Sequence, residues 1–129
     1  MSEALQKILY VEDETDIQKV AKLALETVGG YEVLICGSGA EALEKAAGFE
    51  PDILLLDVMM PGMDGPDTLL ALWKIDVLKR VPAIFLTAKA MPSEVERYKE
   101  MGALGVIAKP FDPMALAEKV KEIWAANGG

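Results

Sequence analysis

The chain contains no histidine. That removes the usual general base near neutral pH and the commonest transition-metal ligand. Cys36 is the only cysteine, so no intrachain disulfide is possible. It ends the apolar stretch Val33-Leu34-Ile35-Cys36, where a small buried hydrophobe is expected rather than a redox centre. No hydrophobic run is long enough to cross a bilayer, and Met1-Ser2-Glu3-Ala4 lacks the charged and apolar regions of a signal peptide. A cytoplasmic protein with no membrane partner is expected. There is no excess of basic charge either. Thirteen Lys and Arg face 21 Asp and Glu, giving a net charge of −8 spread along the chain, which argues against direct nucleic-acid binding. Linkers, repeats and low-complexity segments are also missing. With 129 residues, 52% of them apolar, one domain over 1–129 buries its core without staples.

Four short apolar runs organise the chain. Ile8-Leu9-Tyr10-Val11, Ile53-Leu54-Leu55-Leu56, Ala83-Ile84-Phe85-Leu86 and Val106-Ile107-Ala108 are too short for helices. Such runs read as strands buried on both faces. Val33 to Cys36 supplies a fifth strand. Between them the apolar period becomes helical. Ile17, Val20, Ala21, Ala24, Leu25 and Val28 form one face of a first helix, stopped by Gly29-Gly30. Ala40 to Ala47 makes a second, ended by Gly48. Pro66 suits the first turn of a third, with Leu69, Leu70 and Leu72 as its apolar surface. Pro92 opens a fourth, with Val95, Tyr98 and Met101 inward and Gly102 at its end. Asp112-Pro113 reads as N-cap and first-turn proline of a fifth, carrying Leu116, Val120 and Ile123. Five βα repeats with right-handed crossovers make an α/β fold, a parallel sheet covered by helices on both faces.

The strand ends carry the chemistry. The first run closes in Glu12-Asp13-Glu14, the second in Asp57, the third in Thr87-Ala88 and the fourth in Lys109-Pro110-Phe111. Parallel neighbours bring these together at the carboxyl edge, where open α/β sheets place their ligands. Singly, each has a bland reading as a turn, a strand terminus or a surface charge. Together they describe one site. Clustered carboxylates repel one another and raise one another's pKa, and a hard divalent cation relieves this. A carboxylate is also a nucleophile toward phosphoryl groups, and phosphoryl transfer asks for positioning and charge stabilisation.

With Glu12-Asp13, the run Asp57-Val58-Met59-Met60-Pro61-Gly62-Met63-Asp64-Gly65, Thr87-Ala88 and Lys109-Pro110-Phe111 in this order, the chain resembles a response-regulator receiver domain. This is the phosphoacceptor module of two-component signalling, and the likeness is to the chemotaxis-regulator type. The resemblance implies a flavodoxin-like five-stranded sheet in the order 2-1-3-4-5 with five helices. It implies Mg2+ held by Asp13, Asp57 and the Met59 backbone carbonyl, with Glu12 acting through water. Asp57 is then the phosphoacceptor, Thr87 and Lys109 contact the phosphoryl group, and the Lys109-Pro110 bond is cis. Ala88, being small, leaves room for the incoming group. The donor is a phosphohistidine on a sensor histidine kinase or histidine phosphotransfer protein. A downstream output protein reads the surface of helix 4, strand 4 and helix 5. The resemblance also implies a signalling switch rather than an enzyme.

Two positions depart from the family pattern. Val106 stands where an aromatic switch residue is common, three before the Lys, and Pro66 follows Asp64-Gly65 where an apolar non-proline residue is commoner. Asp64 is expected to serve the turn and Asp67 the helix N-terminus. A nucleotide- or flavin-binding relative of the same architecture would need a Gly/Ser/Thr-rich phosphate loop where Glu12-Asp13-Glu14 stands. An Asp-nucleophile phosphatase would carry a second Asp where Met59 stands. An unphosphorylated receiver-like interaction module is the remaining alternative, opposed by the intact Glu12, Asp13, Asp57, Thr87 and Lys109. With no output domain after the fifth helix, a stand-alone receiver or an excised piece of a larger regulator or hybrid kinase is expected.

Overall fold

The computed structural model describes residues 4–127. Met1 to Glu3 and Gly128-Gly129, on which the readings of the two termini partly rest, lie outside the described residues. Strands β1 (Lys7–Val11), β2 (Glu32–Cys36), β3 (Ile53–Asp57), β4 (Ala83–Thr87) and β5 (Gly105–Ala108) form one parallel sheet in the order β2-β1-β3-β4-β5. Helices α1 (Thr15–Leu23), α2 (Gly39–Phe49), α3 (Gly65–Trp73), α4 (Pro92–Met101) and α5 (Leu116–Ala126) connect and follow them. The expected α/β architecture and strand order are both present.

Strand alternation divides the core into two layers. Leu9, Val11, Leu54, Leu56 and Phe85 pack with α2, α3 and α4, through Ala42, Leu69, Leu72 and Tyr98 among others. Ile8, Tyr10, Ile53, Leu55 and Ile84 pack with α1 and α5, through Ala21, Leu25, Leu116 and Val120 among others. Every residue of β3 and β4 is buried, as a central strand with helices on both sides requires. Each fully buried Leu contributes about 1.5–3 kcal/mol relative to exposure. Cys36 is buried among these side chains, and burial pushes its thiol up to about 11, which leaves it inert.

Several helical details differ from expectation. Val20 is 41% and Val28 51% exposed, so neither belongs to the core face of α1. Val20 precedes Ala21 by one residue and so points roughly 100° away from it. Val28 closes a π-helical turn, Ala24–Val28, whose wider winding rotates it out of the stripe. Leu70 is 51% exposed because Leu69 and Leu72 occupy the buried face of α3. Helix α2 continues through Gly48 to Phe49 and stops at left-handed Glu50 (φ 56°), since Pro51 disfavours right-handed α geometry there. Helix α5 starts at Leu116, not at Pro113. Asp112 instead accepts a hydrogen bond from the Met114 N–H (2.9 Å) and closes a separate turn. A 3-10 turn, Asp76–Leu78, adds the buried Leu78. Gly102 ends α4 as expected, at φ 121°, with the Trp73 ring 3.1 Å from where a Cβ would stand.

Among the described residues Thr68 Oγ1 is the buried side-chain polar atom without a hydrogen-bond partner. It packs where α3 meets the start of α2, and a Cβ on Gly39 would collide with it. Replacing this hydroxyl by a methyl of the same shape removes an unmet desolvation cost. Thr68→Val is therefore expected to stabilise the protein by about 1 kcal/mol in urea unfolding, with an unchanged m-value. A loss of stability would show that the hydroxyl has a partner after all.

Candidate functional site

Asp57 is the last residue of β3 and is 4% exposed. It pairs in register with Leu86, one residue before Thr87, and Thr87 pairs with Ala108, one residue before Lys109. The Thr87 carbonyl accepts the Lys109 N–H (2.9 Å), which fixes the base of the lysine. The Lys109-Pro110 bond is cis. At the far end of the side chain, Lys109 Nζ lies 3.2 Å from Asp57 Oδ2 and 3.0 Å from Glu12 Oε1. Glu12 is fully buried. Its Oε1 also accepts a hydrogen bond from the Tyr10 hydroxyl (3.1 Å), and its Oε2 accepts the Glu14 N–H (3.2 Å).

Asp13 follows, half-buried, and one carboxylate oxygen from each of Glu12, Asp13 and Asp57 lies within 4.8 Å of the others. Glu12, Asp13, Asp57 and Lys109 are thus brought together, and Thr87 stands on the neighbouring strand end. The Thr87 hydroxyl accepts the Lys89 N–H (3.1 Å). The Met59 side chain is 76% exposed while its N–H donates to Asp57 Oδ1 (3.4 Å), so it meets the site through its main chain. Gly65 brings the start of α3 against the Asp57 backbone, where a Cβ would stand 2.5 Å from the Asp57 carbonyl oxygen. Asp64, expected to serve the turn, is the N-cap of α3 and accepts the Asp67 N–H (2.8 Å), while Asp67 and Pro66 occupy the first turn as expected. A cleft of about 430 Å³ opens beside the site, lined by Met59, Thr87, Ala88, Lys89, Arg97 and Tyr98 among others.

The electrostatics follow from burial. Desolvation first, then the charge of Glu12, push the Asp57 carboxyl up to about 6, against the opposing pull of Lys109. Burial would lower the Lys109 ammonium, but Glu12 and Asp57 more than reverse this and hold it above its ordinary value. The Tyr10 phenol is pushed upward by burial and by Glu12, so it stays protonated and remains a donor. Three carboxylates face one ammonium. The uncompensated charge, carried on oxygen donors alone, suits a hard divalent cation such as Mg2+.

Sequence reasoning missed the Tyr10–Glu12 bond. Its signal is the i, i+2 spacing on one strand, which turns both side chains to the same face.

The chain matches the model of the response regulator receiver domain over residues 8–121. It is 36% identical over 116 residues to the probable transcriptional regulator ycf29 of Porphyra purpurea, covering 90% of this chain and 55% of that protein. It is likewise 36% identical to the alkaline phosphatase synthesis transcriptional regulatory protein PhoP of Bacillus subtilis, covering 92% of this chain and 48% of PhoP. The chain thus spans about half the length of these curated relatives. Among solved structures, the Vibrio cholerae chemotaxis response regulator CheY4 superposes with a TM-score of 0.84 at 32% identity, over 93% of this chain and 99% of that one. A CheY-like receiver domain protein of Methanospirillum hungatei gives 0.80, also at 32% identity, over 95% and 96% of the two chains. With the family's model matched over residues 8–121 and the fold shared with these solved structures, the chain belongs to the response regulator receiver domains of two-component signalling.

Proposed function

We propose that the whole chain, 1–129, acts as one phosphoacceptor domain. In this reading Asp57 takes a phosphoryl group from a phosphohistidine on a histidine kinase or phosphotransfer protein. The observation that carries it is the buried Asp57 carboxylate set between the Glu12–Asp13 pair and the Lys109 ammonium. An Asp57 oxygen attacks phosphorus, an O–P bond forms, and the N–P bond breaks with its electron pair returning to the donor imidazole. Lys109, already 3.2 Å from Asp57 Oδ2, compensates charge on the phosphoryl oxygens. Thr87 exchanges its bond with the Lys89 N–H for one that it donates to a phosphoryl oxygen. Asp13, Asp57 and the Met59 carbonyl would hold Mg2+, with Glu12 acting through water. When bound, Mg2+ neutralises negative charge on the acidic cluster and on the phosphoryl group.

Both Glu12 oxygens are engaged by protein donors, whereas among the described residues no hydrogen bond or ion pair engages the Asp13 carboxylate. Asp13→Ala is therefore expected to weaken Mg2+ binding more than Glu12→Ala, as read by calorimetric titration. Equal affinities of wild type and Asp13→Ala would contradict this ligand set.

Movement of Thr87 would shift the loop from Ala88 to Met91 and, with it, the surface of α4, β4 and α5 that an output protein reads. Val106 packs against the buried cluster of Phe85, Tyr98 and Ala103 and is stiff at χ1. Output is thus read from backbone displacement near Lys89, Met91 and Tyr98. Val106→Ala should cost about 1 kcal/mol of stability and leave the difference between phosphorylated and unphosphorylated forms intact. Loss of that difference in a folded variant would make Val106 the switch. We place this switch in the cytoplasm, without a membrane or nucleic-acid partner of its own, and assign it no enzymatic turnover.

The direct test is intact-mass spectrometry with acetyl phosphate. One phosphoryl group is expected with Mg2+ and none with a chelator. Uptake that ignores the chelator would reject the metal-dependent reading.

A further inference from the structure

Tyr10 lies in the middle of β1, fully buried in the layer facing α1 and α5. A buried phenol needs a hydrogen-bond partner, and this one has no route to solvent. Strand alternation turns residues 10 and 12 to the same face, about 7 Å apart along β1, a span that a tyrosine ring bridges. The hydroxyl donates to Glu12 Oε1 (3.1 Å). That oxygen also accepts Lys109 Nζ (3.0 Å), and the same ammonium reaches Asp57 Oδ2 (3.2 Å). A continuous path therefore runs from the core through Glu12 and Lys109 to the acceptor carboxylate.

We propose that Tyr10 is a positioning residue of the phosphoacceptor site, sharing Glu12 Oε1 with Lys109 so that the ammonium stays within reach of Asp57; this rests on the phosphoacceptor reading above. A carboxylate oxygen with two donors pulls on each less strongly than on one alone. Without the phenol, Lys109 is the remaining side-chain donor to Glu12 Oε1 and settles toward it, away from the phosphoryl position. Glu12, held then by one side-chain donor and the Glu14 N–H, is also less firmly oriented. The phenol thus lets Glu12 stay anchored without capturing the lysine.

The test measures phosphorylation rates with acetyl phosphate at saturating Mg2+, by intact mass, for wild type, Tyr10→Phe, Glu12→Ala and the double variant. Tyr10→Phe keeps the ring and its burial. It is expected to slow uptake roughly tenfold, the rate equivalent of one charge-assisted hydrogen bond, and to have no further effect once Glu12 is Ala. A wild-type rate in Tyr10→Phe, or the same fold-loss in both backgrounds, overturns the proposal, the latter pointing to packing alone. A second readout does not depend on the fold of the Tyr10 variant. In otherwise wild-type protein the Tyr10 hydroxyl proton should exchange slowly and shift in the NMR spectrum when Lys109→Ala removes the competing donor. An unmoved resonance also overturns the link. Failure of the wild type to take up any phosphoryl group rejects the underlying reading instead, and the hydroxyl resonance tells the two failures apart.

Discussion

Asp57→Asn is expected to take up no phosphoryl group from acetyl phosphate and Mg2+ under conditions that saturate the wild type. The amide lacks the nucleophilic oxygen charge that the reaction requires. Nor is there a ready substitute. Glu12 is fully buried, and both of its oxygens are occupied, by Tyr10 and Lys109 on one and by the Glu14 N–H on the other. Asp13 lies in the same cluster but makes no ion pair with Lys109, which spans Glu12 and Asp57. A residual adduct of wild-type yield in the variant, seen by intact mass, would move the acceptor to another residue.

The same substitution is expected to stabilise the metal-free protein. Burial and Glu12 raise the Asp57 carboxyl from its ordinary 3.8 to about 6, so its ionised form disfavours the folded state. The shift, already net of the opposing pull of Lys109, corresponds to about 2–3 kcal/mol. The direction with pH follows from the raised value. The destabilisation is fully present above about pH 6 and disappears as the pH falls below about 4, where both folded and unfolded chains hold the proton. In a chelator at pH 7.5, Asp57→Asn should melt roughly 6–10 °C above wild type, and the gap should close toward pH 4. Added Mg2+ should raise the wild type far more than the variant. A variant less stable than wild type at pH 7.5 would show that the Lys109–Asp57 pair outweighs the burial of charge.

Much of this site was legible because parallel strands make a simple code. Each short apolar run ended in a polar residue of distinct chemistry, and one sheet edge had to collect them. The central runs read cleanly, since β3 and β4 are buried on both faces and alternation does not break them. Helix faces read less well. The stripe read for the first helix was right for Ala21, Ala24 and Leu25 but failed at Val20, which turns away from Ala21, and at Val28, because nothing in the residues announces a π-helical turn. Asp112-Pro113 carried a helix-start pattern, yet its side chain closed a local turn first. Leu78 was hidden because a three-residue 3-10 turn is too short to show a period. Tyr10 was hidden differently. Inside an apolar run its ring counts as core, and the i, i+2 spacing to Glu12 shows a shared face without showing that the hydroxyl reaches the carboxylate.

The central claim is that Asp57 is the phosphoacceptor, and it is met most directly by locating the bond itself. Borohydride reduces an aspartyl phosphate to homoserine, a stable mark that survives proteolysis and is placed by tandem mass spectrometry. Protein treated with acetyl phosphate and Mg2+, then reduced, should carry homoserine at position 57 alone. Homoserine at position 13, or a phosphoryl group that resists borohydride and maps to a hydroxyl side chain, would contradict the account.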